Sequence, residues 1–188
     1  MNSALRLVVL AGPNGAGKST FYQSQLRDAA LPFVNADEVA GRLGLPAGEA
    51  AKVADRVRRE WIGQRTSFIT ETVFSDPVSA KLEFLHHAID AGYRVTLIYI
   101  GLAGVDLSEA RVIGRVAEGG HDVPSERLPR RYQQSLLNLK EALTFVPDVL
   151  VYDNSSAESP FELVLHVVDG KAVIRADPLP AWLTGIPQ

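Results

Sequence analysis

Lys18 and Ser19 close a run, GPNGAGKS, in which Gly12, Gly15 and Gly17 leave room for main-chain amides to crowd around an anion. In this pattern the lysine reaches the β and γ phosphates of a nucleoside triphosphate, and the Ser19 hydroxyl can sit on Mg²⁺. The full Walker A spacing is present: Gly12, four residues, then Gly17-Lys18-Ser19. Pro13, Asn14, Ala16 and Thr20 complete the stretch expected to face ATP. Because the run follows an apolar stretch and opens a predicted helix, the phosphates would also meet the positive helix end. A dinucleotide-binding loop requires G-x-G-x-x-G, whereas these glycines are spaced three and then two. Asp37, twenty residues after Gly17, is therefore not read as a ribose ligand.

Two further polar clusters could complete a phosphoryl-transfer site. FVNADEVA carries Asp37 and Glu38, and FITETVFS carries Glu71, Thr72 and Ser75. Each lies just beyond a predicted strand, at the sheet edge where α/β proteins bind ligands. A kinase needs a carboxylate that orients an acceptor hydroxyl or takes its proton, and cations around the transferring group. Asp37 suits the first task, although the same position could serve as a helix N-cap, and Glu71 could equally be a solvated loop carboxylate. For the second task, Arg111, Arg115, Arg127, Arg130 and Arg131 gather around Gly119 and Gly120, a segment read as a lid over residues 108–131. The spacing of four places Arg111 and Arg115 on one helix face, and Arg115 and Arg131 are the favoured catalytic pair. A surface helix pair neutralised by Glu118, Asp122 and Glu126 is the competing reading. His121 belongs to the same segment and reads as a turn or cap residue.

The elements that must position these groups follow from alternation of short apolar strands with amphipathic stretches, the mark of an α/β fold with a mostly parallel sheet. Five parallel strands are predicted at 5–10, 31–35, 67–71, 94–99 and 149–152. Helices are predicted over 17–29, 48–64, 77–91, 108–118 and 125–145. In the last, Leu128, Leu136, Leu139 and Leu143 form an apolar stripe. ELVLHVVDGKAVIRA, with Asp169-Gly170 at its centre, predicts an antiparallel β-hairpin over 162–176 appended to the sheet.

The chain of 188 residues fits one domain, 1–188. Its net charge of −3 supplies no global field for nucleic acid or an anionic membrane, so any anion site must be local. There is no cysteine, which excludes disulfides and thiolate metal sites, and no apolar run of transmembrane length. A cytoplasmic enzyme acting on small molecules is the expectation. ABC-type ATPases share the phosphate loop, but their Leu-Ser-Gly-Gly-Gln signature and their strand ending Asp-Glu are missing. An ABC-like or switch-type ATPase working through a protein partner stays as the alternative.

Taken together, GPNGAGKST, VNADEVA, ETVFS, RVAEGGHDVPSERLPRRYQQSLLNL and VYDNS resemble, in order, the segments of the zeta toxin family of P-loop kinases, in its short zeta-like branch. The resemblance spans residues 7 to about 156. It implies a P-loop kinase fold and γ-phosphoryl transfer from ATP, with Mg²⁺, to a hydroxyl of a sugar nucleotide such as UDP-N-acetylglucosamine; other small metabolites remain open as acceptors. It further implies Asp37 as the base, Glu71 and Thr72 as acceptor-binding residues, and Lys18 and Ser19 as phosphate and metal contacts. Asp153 and Asn154 would form a loop on the nucleotide side, and an antitoxin protein would be the partner. The larger toxins are longer and build their lid differently, so the resemblance assigns no arginine pair by position.

Overall fold

Strand β1 (Arg6–Ala11) is the middle one of five parallel strands in a seven-stranded sheet of order β2-β3-β1-β4-β5-β6-β7. The computed structural model describes residues 4–76, 79–117 and 124–186. Around β1 are β2 (Phe33–Val34), β3 (Phe68–Thr72), β4 (Arg94–Gly101) and β5 (Asp148–Asp153), all parallel. Strands β6 (Glu162–Val168) and β7 (Lys171–Arg175) extend the same sheet antiparallel. All five predicted parallel strands and the hairpin are present. Asp169 and Gly170 both have positive φ, 48° and 75°, which is what a two-residue hairpin turn requires.

Apolar side chains alternate between two cores, one on each sheet face, as the two-residue period of a strand dictates. From β4, Val95, Leu97 and Tyr99 enter one core, whereas Ile98 and Ile100 enter the other. The first core is closed by helices α3 (Ala47–Gly63), through Ala54 and Ile62, and α4 (Ala80–Asp90), through Leu82 and Leu85. The second takes Phe21 from α1 (Lys18–Phe21) and Ala16 from the phosphate loop. Helix α6 (Leu128–Ala142) buries Leu128 and Leu139, with Leu136 and Leu143 packed partly against the cores, so the predicted stripe holds.

The helices differ from expectation in five places, one of them α4, which begins at Ala80 rather than at 77. The helix after the phosphate loop has a single α turn, then a π segment over Tyr22–Leu26 and a 3-10 turn over Arg27–Ala29. A helix that the sequence reading left out, α2 (Ala36–Leu43), follows β2 directly. Its eight residues are too few for an apolar period to declare itself. Helix α5 (Val105–Ala117) begins three residues before the predicted Ser108. Ser125–Arg127 forms a 3-10 turn before α6, which ends at Ala142 rather than Phe145. Pro77, Glu118, Gly119, Gly120, His121 and Asp122 lie outside the described residues.

Candidate active site

The loop after β1 is shaped by neighbours that only glycine admits. A Cβ at Gly12 would lie 2.1 Å from the Ile100 carbonyl oxygen, and φ there is +140°. At Gly15 it would lie 2.7 Å from the Ser108 carbonyl oxygen, with φ +71°. The N-terminal part of α5 thus presses on the loop, and Ser108 Oγ donates to the Asn14 carbonyl at 2.7 Å. From the other side, Asn154 Nδ2 donates to the Ala16 carbonyl at 2.9 Å, while Asn154 Oδ1 accepts from Phe161 N. Asn154, assigned to the nucleotide side by resemblance, is buried and spends its amide on bracing the loop. Its neighbour Asp153 accepts from Ser155 N and Oγ.

Lys18 is 6% exposed, and its Nζ donates to the Pro13 carbonyl at 2.9 Å. Burial holds its basicity below the ordinary lysine range; Glu71 and Asp37 oppose that shift, and the positive charge of Arg115 adds to it. Three predicted site residues therefore lie within electrostatic reach of this one ammonium. Ser19, next along, donates its hydroxyl to Glu71, whose carboxylate oxygens are 3.1 and 3.3 Å away. Glu71 is not a loose loop carboxylate. It stands on β3, paired in register with Leu10 of β1, so parallel pairing of the two strands brings it to the phosphate loop.

Asn35, not Asp37, caps α2: its Oδ1 accepts from Glu38 N at 2.6 Å, while its Nδ2 donates to Glu71 at 3.3 Å. Asp37 sits in the first helical turn, relieved of the capping task. It lines a cleft of about 650 Å³ together with Glu71, Thr72 and Ser75. A volume of that order suits a small-molecule ligand. Arg127, Arg130 and Arg131 line the same cleft, whereas Arg115 is linked to the site through Lys18. Arg111 packs its Cβ against the loop at Gly15.

Three cleft residues escaped sequence reasoning because no motif marks them. Arg58 of α3 is 5% exposed; its Nε donates to Thr70 Oγ1 at 2.6 Å, and an Nη donates to the Glu71 carbonyl at 3.0 Å. Its other Nη pairs with Asp55, which also takes Lys81 Nζ at 2.8 Å. Burial alone would raise the Asp55 carboxyl, but Lys81 and Arg58 outweigh it and hold the group below the usual range. The spacing of Asp55 and Arg58, three apart on α3, was the available signal. Tyr132, Ser135 and Asn138 of α6 are buried polar residues that tie the helix to β4 and to the loops after β3 and β4. Tyr132 Oη donates to the Leu102 carbonyl at 2.7 Å, Tyr99 and Ser135 share a hydrogen bond, and Asn138 Nδ2 donates to the Phe74 carbonyl at 3.0 Å.

A Walker A loop at the carboxyl end of β1, flanked by β3 and β4 in a β2-β3-β1-β4-β5 parallel core, defines a three-layer α/β domain of the P-loop kinase-like fold. Residues 7–136 match the AAA domain family AAA_33, and the chain belongs to that family. An uncharacterized protein of Haemophilus influenzae is 28% identical over 132 residues, which are 68% of this chain and 92% of that protein. Among solved structures, the AvrRxo1-ORF1:-ORF2 complex with ATP matches with TM-score 0.71 at 14% identity, over 100% of this chain and 67% of that one. The PezAT chromosomal toxin-antitoxin system of Streptococcus pneumoniae matches with TM-score 0.63 at 15% identity, over 88% and 72%. Shikimate kinase from Bacteroides thetaiotaomicron gives TM-score 0.50 at 14% identity, over 84% and 90%. Identities this low speak to the fold alone. Among the described residues, no helix is long and apolar enough to cross a membrane.

Proposed function

We propose that this protein is a small-molecule kinase that transfers the γ-phosphoryl of ATP to an alcohol, in the manner of zeta toxins, with a sugar nucleotide such as UDP-N-acetylglucosamine as acceptor. The observation that carries this reading is Asp37: a carboxylate free of capping duty, on the wall of a cleft, within electrostatic reach of the phosphate-loop lysine. The zeta-type assignment rests on the sequence resemblance; with the fold also found in a chain of a toxin-antitoxin system, an antitoxin protein is the proposed partner.

The chemistry follows from the placement of the groups. Asp37 orients the acceptor hydroxyl and takes its proton as the oxygen attacks the γ phosphorus; the bond from that phosphorus to the bridging oxygen breaks, and ADP leaves. Lys18 exchanges its contact with the Pro13 carbonyl for phosphate oxygens, and Arg115 stands on the same side. Arg131 lines the cleft that would take the acceptor, and Thr72 flanks that molecule. A hydroxyl beside a carboxylate is an oxygen donor set that suits Mg²⁺, so Ser19, with Glu71 behind it, would hold the ion that accompanies ATP. When bound, that ion neutralises phosphate charge.

The test is ADP release by the purified protein with Mg²⁺-ATP, with and without UDP-N-acetylglucosamine, the product being weighed for one added phosphate. Acceptor-dependent release and a phosphorylated sugar nucleotide are expected. ATP hydrolysis indifferent to any alcohol would instead mark a switch.

A further inference from the structure

Of the cations that line the cleft, two are already committed: Arg58 is divided among Thr70, Asp55 and the Glu71 carbonyl, and Lys81 is paired with Asp55. The other three are Arg127, Arg130 and Arg131. Among the described residues no carboxylate comes within ion-pair distance of any of them, although Glu126 lines the same cleft. Arg127 closes the 3-10 turn that leads into α6 and Arg131 stands in the first turn of that helix, four residues on, so their charges lie close and repel each other. Arg131 is half-buried; burial lowers its basicity, and the neighbouring charge of Arg127 lowers it further. A pair of this kind is at its most favourable with an anion between the two guanidinium groups.

Two anions could supply that charge, the γ phosphate of the donor or a group on the acceptor. The layout favours the acceptor. Arg127 and Arg131 line the cleft together with Asp37 and Thr72, whereas neither Arg115, whose charge acts on Lys18, nor any residue of the phosphate loop lines it. The cleft thus joins Asp37 of α2 and Glu71 of β3 to the arginines around the start of α6.

We infer that Arg127 and Arg131 form a clamp for a phosphate or carboxylate that the acceptor already carries, so that the substrate is an anionic alcohol bound at two points, its hydroxyl at Asp37 and its anion at α6. This rests on the kinase reading for the role of Asp37, whereas the anion site itself does not depend on it.

The experiment is calorimetric titration of pyrophosphate into protein saturated with the non-hydrolysable analogue AMP-PNP and Mg²⁺. One equivalent is expected to bind, and Arg127→Met/Arg131→Met should weaken it at least tenfold while AMP-PNP affinity stays within about twofold of wild type. Removing a like-charge pair should not cost the fold, and a melting curve checks that; Arg127→Lys/Arg131→Lys, which keeps the charge, should bind pyrophosphate between the two. A tenfold loss of AMP-PNP affinity in the methionine double variant would hand both arginines to the donor and overturn the proposal. Absence of pyrophosphate binding to the nucleotide-loaded wild type would overturn it as well. Lys18→Met without nucleotide separates the two readings. Retained pyrophosphate binding there, lost on adding the two methionine substitutions, supports the clamp even if no kinase activity is found.

Discussion

The hydroxyl of Ser19 is shared between the two carboxylate oxygens of Glu71, at 3.1 and 3.3 Å, although 52 residues separate them in the chain. The same carboxylate accepts from Asn35, so one group joins the phosphate loop to the cap of the helix that carries Asp37. Glu71→Gln keeps the shape and removes the charge. Turnover at saturating ATP should fall by about 10²-fold, with a raised requirement for Mg²⁺, while nucleotide affinity measured in EDTA changes little. A variant with an unchanged Mg²⁺ dependence would detach Glu71 from the cation.

Asp37→Asn should abolish transfer and spare the donor site. A proton acceptor of this kind contributes about 10²–10⁴-fold, and its removal acts on the acceptor rather than on ATP. Titration with a fluorescent ATP analogue should give an affinity within about twofold of wild type, alongside the lost turnover. Because Asn35 does the capping, the melting temperature should stay close to wild type. A large drop in either quantity would mean that Asp37 is structural.

Burying Lys18 costs stability in the charged state. Its folded basicity lies below the ordinary value, so between the two values the unfolded chain binds more protons than the folded one, and stability rises with pH across that window. Lys18→Met removes this slope. At neutral pH the variant should melt higher than wild type, and the difference should shrink as pH climbs through the lowered lysine value. Nucleotide binding should be lost. Equal melting temperatures at every pH would show that the buried ammonium is compensated.

Arg58 has three partners at once, which only a planar fork can satisfy. Arg58→Lys should lower unfolding free energy in urea by about 1–3 kcal/mol, since the buried Glu71 carbonyl or Thr70 loses its donor. The acid limb carries a second signature. The depressed Asp55 carboxyl contributes stability that is complete above its ordinary value of 3.8 and lost as pH falls through the folded value. Asp55→Asn should flatten that limb, and a limb as steep as wild type would show that Asp55 contributes little to it.

What the sequence determined by itself is local. The phosphate loop is legible because its amides, lysine and hydroxyl lie within eight consecutive residues, and the hairpin because Asp169-Gly170 meets the φ demand of its own turn. The strands declare themselves by apolar runs that both sheet faces bury. Tertiary structure decided the rest. Whether Asp37 caps α2 or faces the cleft depended on its neighbour Asn35, which can cap and also reach Glu71 only once β2 and β3 lie side by side. Asn154, legible as a loop residue, became a brace for Ala16 across 138 residues of chain. The spacing of Asp55 and Arg58 hints at a pair, but Lys81 joins the carboxylate they share only when α3 and α4 pack on the same sheet face. The arginines of α5 and of the start of α6 are legible in the sequence, but which of them lines the cleft is a matter of distances between elements, and no local spacing contains those.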